Sequence, residues 1–190
     1  NSVVDVLLGK ENPSGKLAMT FPITVMDHPS SRNFPLNGYK GQRGSAGREN
    51  IDYTLHKEGI NIGYRYFNTV NRPVSYPFGY GLSYSTFEYE TIQAPAEIKA
   101  GETLELTVNV KNTSNVDGDE IVQLYVSLPD SKFPVPIRSL QGFNRIHLKA
   151  GETKPVRFSI TPDKMAAFDD NSVAQVRAGR VVVSIGGKQP

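Results

Sequence analysis

The 190-residue chain is 38% hydrophobic, enough to fill a globular core, and its 21 basic and 19 acidic residues leave a formal charge of +2 with no block of either sign. That balance excludes the basic field expected of a nucleic-acid binder. The absence of cysteine excludes disulfides, thiolate metal sites and thiol nucleophiles. With no run of about 18 apolar residues and no basic-then-apolar start, neither a membrane span nor a signal peptide is expected.

Taken in order, Val3, Val4, Leu7 and Leu8 fall at helical spacing, and Gly9 follows as a C-terminal cap. Asn12-Pro13-Ser14-Gly15 makes a turn, and Leu17 to Phe21 reads as a strand closed by Pro22. Such a helix-turn-strand unit belongs inside an α/β domain and is too small to bury a core alone. The predicted apolar faces of Val3 to Leu8 and Leu17 to Phe21 therefore need cover from the sandwich described below, from the following loop or from a second molecule. From Met26 to about Asn61 the chain passes Pro29, Pro35, Gly38, Gly41, Gly44 and Gly47 without a sustained period. A loop of that length is usually functional or packed on another body.

Ile60 to Phe67 and Tyr76 to Tyr84 are aromatic and glycine-rich, and the composition changes near Phe87, where we place a boundary between domains 1–86 and 87–190. Beyond it, strand-like runs at Leu104 to Val110, Ile121 to Leu128, Arg138 to Leu148, Pro155 to Ile160 and Val181 to Ile185 alternate with turn residues, the pattern of an all-β sandwich. Lys99-Ala100-Gly101-Glu102-Thr103 recurs as Lys149-Ala150-Gly151-Glu152-Thr153, and each copy introduces a strand, so the two are expected to be equivalent turns.

Candidate chemistry is sparse. Retaining glycoside hydrolysis needs two carboxylates about 5 Å apart. Asp52 and Glu58 are the candidates in the loop-rich part, but nothing in their spacing fixes them across a sugar ring. His28, His56 and His147 lack metal-site spacing, and no serine occupies a Gly-x-Ser-x-Gly elbow. Gly79-Tyr80-Gly81 lacks the third glycine of a phosphate cradle and is read as a tight connection. Arg43 and Arg48, with Tyr39 and Tyr53, offer too few phosphate contacts for RNA binding. Asp117, Gly118, Asp119 and Glu120 lack the calcium-loop alternation and are read as a hairpin turn. Asn112-Thr113-Ser114 fits a glycosylation triplet and is left open. Without tryptophan, sugar binding by the sandwich would rest on Tyr125, Phe133 or Phe143, which alternating strands more often bury.

Three blocks carry a resemblance. Asp5 to Gly9 with Asn12-Pro13-Ser14-Gly15-Lys16-Leu17 and Thr20-Phe21-Pro22, then Glu58 to Phe67, then Pro77 to Tyr84, resemble in order the end of the second domain of family 3 glycoside hydrolases. The remainder, including Asn112-Thr113, Gly118 and Val122 to Val126, is similar to the fibronectin type III-like domain of many such enzymes. The fold this implies is mainly β: a fibronectin type III-like, immunoglobulin-like sandwich preceded by a helix-strand-loop remnant of an α/β sandwich domain. The resemblance implies a parent that is a retaining exo-β-glycosidase of β-glucosidase or β-xylosidase type, acting on β-linked glucosides or oligosaccharides, without cofactor or metal, in the periplasm or outside the cell. The family's nucleophilic Asp lies in an N-terminal barrel, usually followed by Trp, and its acid/base Glu lies upstream of the Asn-Pro-Ser-Gly block. This chain has no tryptophan. No catalytic, cofactor-binding or metal residue is therefore assigned here, and the chain alone is expected to be inactive. Its expected partners are the upstream catalytic domains, with self-association through the exposed remnant and a stand-alone carbohydrate- or protein-binding sandwich as alternatives.

Overall fold

The computed structural model describes residues 2–32 and 57–188. Helix α1 (Ser2–Leu7) ends where the sequence places its cap. The Gly9 amide bonds the Val6 carbonyl at 2.9 Å and the Lys10 amide bonds Asp5 at 2.8 Å, with Gly9 at φ +70°, which is a Schellman ending. The expected strand from Leu17 shrinks to β1 (Phe21–Pro22). Leu17 instead exchanges one pair of backbone bonds with Gly79 and Tyr80, both 2.8 Å. The strand propensity of this stretch is overridden because its partner offers pairing only at the two ends. Two 3-10 turns follow, at Val25–Asp27 and Pro29–Arg32, so the expected loop begins with local order. Helix α2 (Tyr64–Thr69) buries Phe67, and β2 (Val74–Tyr76) runs antiparallel to β1.

The sandwich is built from β3 (Phe87–Tyr89), β4 (Leu104–Asn112), β5 (Gly118–Ser127), β6 (Ser139–Leu148) and β7 (Thr153–Ile160). A small pair, β8 (Ala167–Phe168) and β9 (Ala174–Gln175), precedes the last strand, β10 (Val182–Gly186). One sheet has the order β3-β4-β7 and the other β10-β5-β6. All five expected strands are present. Leu104, Leu106, Val108 and Val110 of β4 alternate inward and join Val156, Phe158 and Ile160 of β7. Val122, Leu124 and Val126 of β5 and Leu148 of β6 meet them from the opposite sheet. Each of these buried side chains contributes on the order of 1.5–3 kcal/mol relative to exposure.

The repeated pentapeptides form two copies of one turn. Gly101 (φ +91°) and Gly151 (φ +75°) occupy the third position, and the Glu102 and Glu152 amides bond the Lys99 and Lys149 carbonyls at 3.0 and 2.9 Å. Positive φ at the third position alone makes both type II turns. Each glutamate carboxylate returns to the amide of its own lysine, at 3.1 and 2.7 Å.

The acidic cluster is not a hairpin turn. Gly118, Asp119 and Glu120 already pair with Leu148, His147 and Ile146, and the link from β4 to β5 crosses between the two sheets. A local run of turn formers cannot reveal which sheet the next strand joins.

Candidate functional site

The three sequence blocks converge on one seam, where the N-terminal segment lies against β5 and the strands beside it. Asn12 fastens its start. Its side-chain amide donates to Ser85 Oγ and to the Asp117 carbonyl, both at 2.8 Å. Its oxygen accepts from Ser83 Oγ at 3.0 Å and from the Tyr84 amide at 2.9 Å. A primary amide has two donors and two acceptor sites, and all are used. Ser85 is itself buried and donates to the Val116 carbonyl at 2.8 Å. Gly118 is required at this point because a Cβ there would collide with Ser85 Oγ and reach within 2.9 Å of the Asn12 amide nitrogen.

Lys16, four residues on, reaches an inward-facing position of β5. Its ammonium lies 3.2 Å from a Glu120 carboxylate oxygen, with side chains 16% and 5% exposed. The Tyr89 hydroxyl donates to the same carboxylate at 2.7 Å. Burial, and then the Glu120 charge, push the Tyr89 hydroxyl far up, which keeps it a donor. A buried carboxylate is tolerable here because a cation and a hydrogen bond compensate it.

Further along, the outer face of β5 is covered as well. The Tyr125 hydroxyl donates to Gln123 Oε1 at 2.6 Å, while Gln123 Nε2 donates to the Gly187 carbonyl at 3.1 Å and more weakly to Gly79 at 3.4 Å. Tyr64 of α2 lies between Phe78 (4.7 Å between centroids) and the edge of Tyr125 (6.1 Å), and its hydroxyl accepts from the Leu140 amide at 2.8 Å. Gly79 sits at φ +76° with the Tyr80 amide bonded to the Pro77 carbonyl at 3.1 Å, so the expected tight connection is present. Gln123 occupies the space a side chain there would need.

At the rim, Arg145 donates to Asp119 Oδ2 through Nη2 at 2.6 Å and to Ser14 Oγ at 3.0 Å, and His147 Nδ1 lies 2.7 Å from Asp119 Oδ1. The His147 hydrogen bond first, and Arg145 after it, hold the Asp119 carboxyl below its usual range.

Each of these groups is bonded to another part of the chain and holds structure together. Glu120 is committed to Lys16 and Tyr89. Asp52, His56, Arg43, Arg48, Tyr39 and Tyr53 lie outside the described residues, and Glu58 sits half-buried just ahead of α2. His28 packs edge-on to Phe67, and His147 is part of the Asp119 cluster. Among the described residues no group of three or more His, Cys, Asp or Glu is placed to hold a metal ion, and no helix is long and apolar enough to cross a membrane. Of the candidate sugar platforms, Tyr125 is buried in the seam, Phe133 lies half-buried beneath Arg177, and Phe143 is exposed. Asn112 is fully buried, with Nδ2 on the Val116 and Leu148 carbonyls and Oδ1 taken by the Ser114 amide and hydroxyl. The folded triplet therefore offers no free amide to a glycan.

The sandwich does not cover the apolar faces of the N-terminal segment. Val3, Leu7 and Leu8 are 65%, 75% and 65% exposed, and Met19, Ile23 and Val25 are also exposed.

Comparison with known proteins matches residues 1–84 to the glycosyl hydrolase family 3 C-terminal domain and residues 120–189 to a fibronectin type III-like domain. A probable β-glucosidase I of Emericella nidulans is 39% identical over 165 residues, covering 84% of this chain and 18% of that protein. An exo-α-(1→6)-L-arabinopyranosidase of Bifidobacterium longum is 38% identical over 187 residues, covering 97% and 23%. Among solved structures, the family 3 β-glucosidase of Bifidobacterium adolescentis superposes with a TM-score of 0.85 at 35% identity, covering 98% of this chain and 26% of that one. The chain thus spans about a quarter or less of the length of these proteins.

Proposed function

We propose that this chain, whose residues 1–84 match the glycosyl hydrolase family 3 C-terminal domain and residues 120–189 a fibronectin type III-like domain, is the C-terminal portion of a longer retaining exo-β-glycosidase and buttresses its catalytic domains. In this reading the working enzyme is of β-glucosidase or β-xylosidase type and releases terminal β-linked sugars through a covalent glycosyl-enzyme intermediate. The nucleophile and the acid/base belong to upstream sequence, residues 1–86 complete an α/β domain, residues 87–190 form the supporting sandwich, and the enzyme works in the periplasm or outside the cell. The observation that carries this reading is the seam. The family blocks around Asn12, Lys16, Tyr64 and Gly79 spend their polar groups on fastening one segment to the sandwich. The same segment leaves Val3, Leu7 and Leu8 exposed on the other side, where an α/β domain would continue. Because relatives named for β-glucosides and for an α-L-arabinopyranoside match at 39% and 38% identity, we leave the sugar to the upstream domains.

The test is hydrolysis of a chromogenic aryl β-glucoside. The chain alone is expected to give no turnover above blank in a sample shown to be folded, whereas a longer form carrying upstream domains is active. Turnover by the chain that survives repurification and disappears in the D52N/E58Q double variant would overturn the reading.

A further inference from the structure

The end of the sandwich bounded by loops 98–101, 128–133 and 175–181 contains a cavity of about 220 Å³ that the support role does not use. Its floor is apolar and continuous with the core: Met165 is buried in the hydrophobic cluster, and Ile98, Leu128 and Val181 pack against it. The rim is cationic. Lys99 and Lys132 are exposed at its edge, and Arg177 lies 4.9 Å above the Phe133 ring. The remaining charges of the wall cancel, because Arg180 grips Asp130 through Nε at 3.0 Å and Nη2 at 2.8 Å. That fork, with the Arg180 amide at 2.9 Å, holds Asp130 down to about 2, so the pair stays ionised and closes loop 128–133 onto the segment before β10.

The two neutral polar side chains of the wall are engaged within the chain. Ser131 Oγ donates to the Phe133 carbonyl at 2.9 Å, and Gln175 Nε2 donates to Asp169 at 3.0 Å. A neutral sugar, which is recognised by several free hydrogen-bonding side chains, has little to bind. An apolar floor under a rim of three cations fits a different ligand, a flat apolar body carrying one negative charge. A dry cavity of about 150 Å³ admits a benzene ring. The volume of about 220 Å³ here leaves room for a ring and a short acid arm.

We infer that this cavity is a binding site for small aromatic carboxylates of the cinnamate class, with the ring on Met165 and Leu128 beside Phe133 and the carboxylate between Arg177 and Lys132.

Saturation-transfer NMR and calorimetry of the full chain with cinnamate test this, with cinnamyl alcohol and glucose as neutral probes. Saturation of the ring protons is expected, with affinity at least tenfold weaker for cinnamyl alcohol and no binding of glucose. Reversing the rim with K132E/R177E, both on exposed loops, is expected to weaken cinnamate at least tenfold while leaving the melting curve in place. As an independent probe of the floor, M165L should change the ring saturation pattern. Absence of saturation, equal affinity for the neutral alcohol, or unchanged affinity in K132E/R177E would each overturn the assignment.

Discussion

At the residue scale the seam depends on compensation of one buried charge. Glu120 shares the inward parity of Val122 and Leu124, a position where a carboxylate is costly. It is tolerated because Lys16, more than a hundred residues earlier, and Tyr89 both reach it. Replacing Lys16 with Met keeps the aliphatic stem but strands the carboxylate, which should cost about 3 kcal/mol. In urea denaturation the midpoint should fall, and the K16M/E120L double variant should recover most of the loss because no buried charge remains. Equal midpoints for K16M and the parent chain would show that water, not Lys16, compensates Glu120. The sequence displayed this pair poorly. Lys16 sits in an ordinary turn block and Glu120 in a run of acids, and only the folded path brings them together. Tyr125, weighed as a sugar platform against burial on an alternating strand, is buried, and the run around it carried a signal that alternation does not capture. The near-continuous apolar run from Ile121 to Val126 is the pattern of a strand covered on both faces, interrupted by one polar residue that must then be satisfied internally.

At the scale of elements, the sandwich strands were legible because alternation over eight or nine residues, as in β4 and β7, is a strong local signal. The strand expected from Leu17 and the hairpin expected at Asp117 failed for a shared reason: pairing partners are set by distant chain, whereas propensity is local. Turns are the opposite case, since a five-residue motif contains its own hydrogen bonds. This allows strain to be separated from crowding. A Cβ at Gly101 or Gly151 would meet nothing within 4 Å, so Ala at either site should cost only the left-handed backbone penalty, about 1 kcal/mol. At Gly79 the same φ penalty is joined by collision with the buried Gln123 amide, which cannot move without abandoning Tyr125. Thermal melts should therefore rank G79A well below G101A and G151A, with the last two nearly equal. If all three fell together, Gln123 would have room to yield and the seam would be looser than its hydrogen bonds indicate.

For the whole molecule the two faces of the N-terminal segment have opposite characters. One is tied to the sandwich by Asn12, Lys16 and Tyr64, and within the segment the Tyr84 hydroxyl donates to the Val6 carbonyl at 2.7 Å. The other presents Val3, Leu7 and Leu8 to solvent, with Met19, Ile23 and Val25 also uncovered. Helix α1 buries none of its residues, and a six-residue helix is too short to persist in water on propensity alone. Its cap and the Tyr84 bond hold its C-terminal end, while its apolar face gains nothing until something covers it. The isolated chain should cover that face with copies of itself, because association removes the same area from water that neighbouring domains would remove. Sedimentation over a range of concentrations should show reversible association, weakened by sodium thiocyanate, which favours exposed apolar surface, far more than by sodium chloride. The V3E/L7E variant places charges on the face without touching the seam. It should sediment as a monomer at all concentrations and keep the parent melting temperature to within a few degrees. A monomeric parent chain would instead mean that the uncovered face is tolerated in water, and α1 would then be expected to lose its amide protection in hydrogen exchange before any strand of the sandwich does.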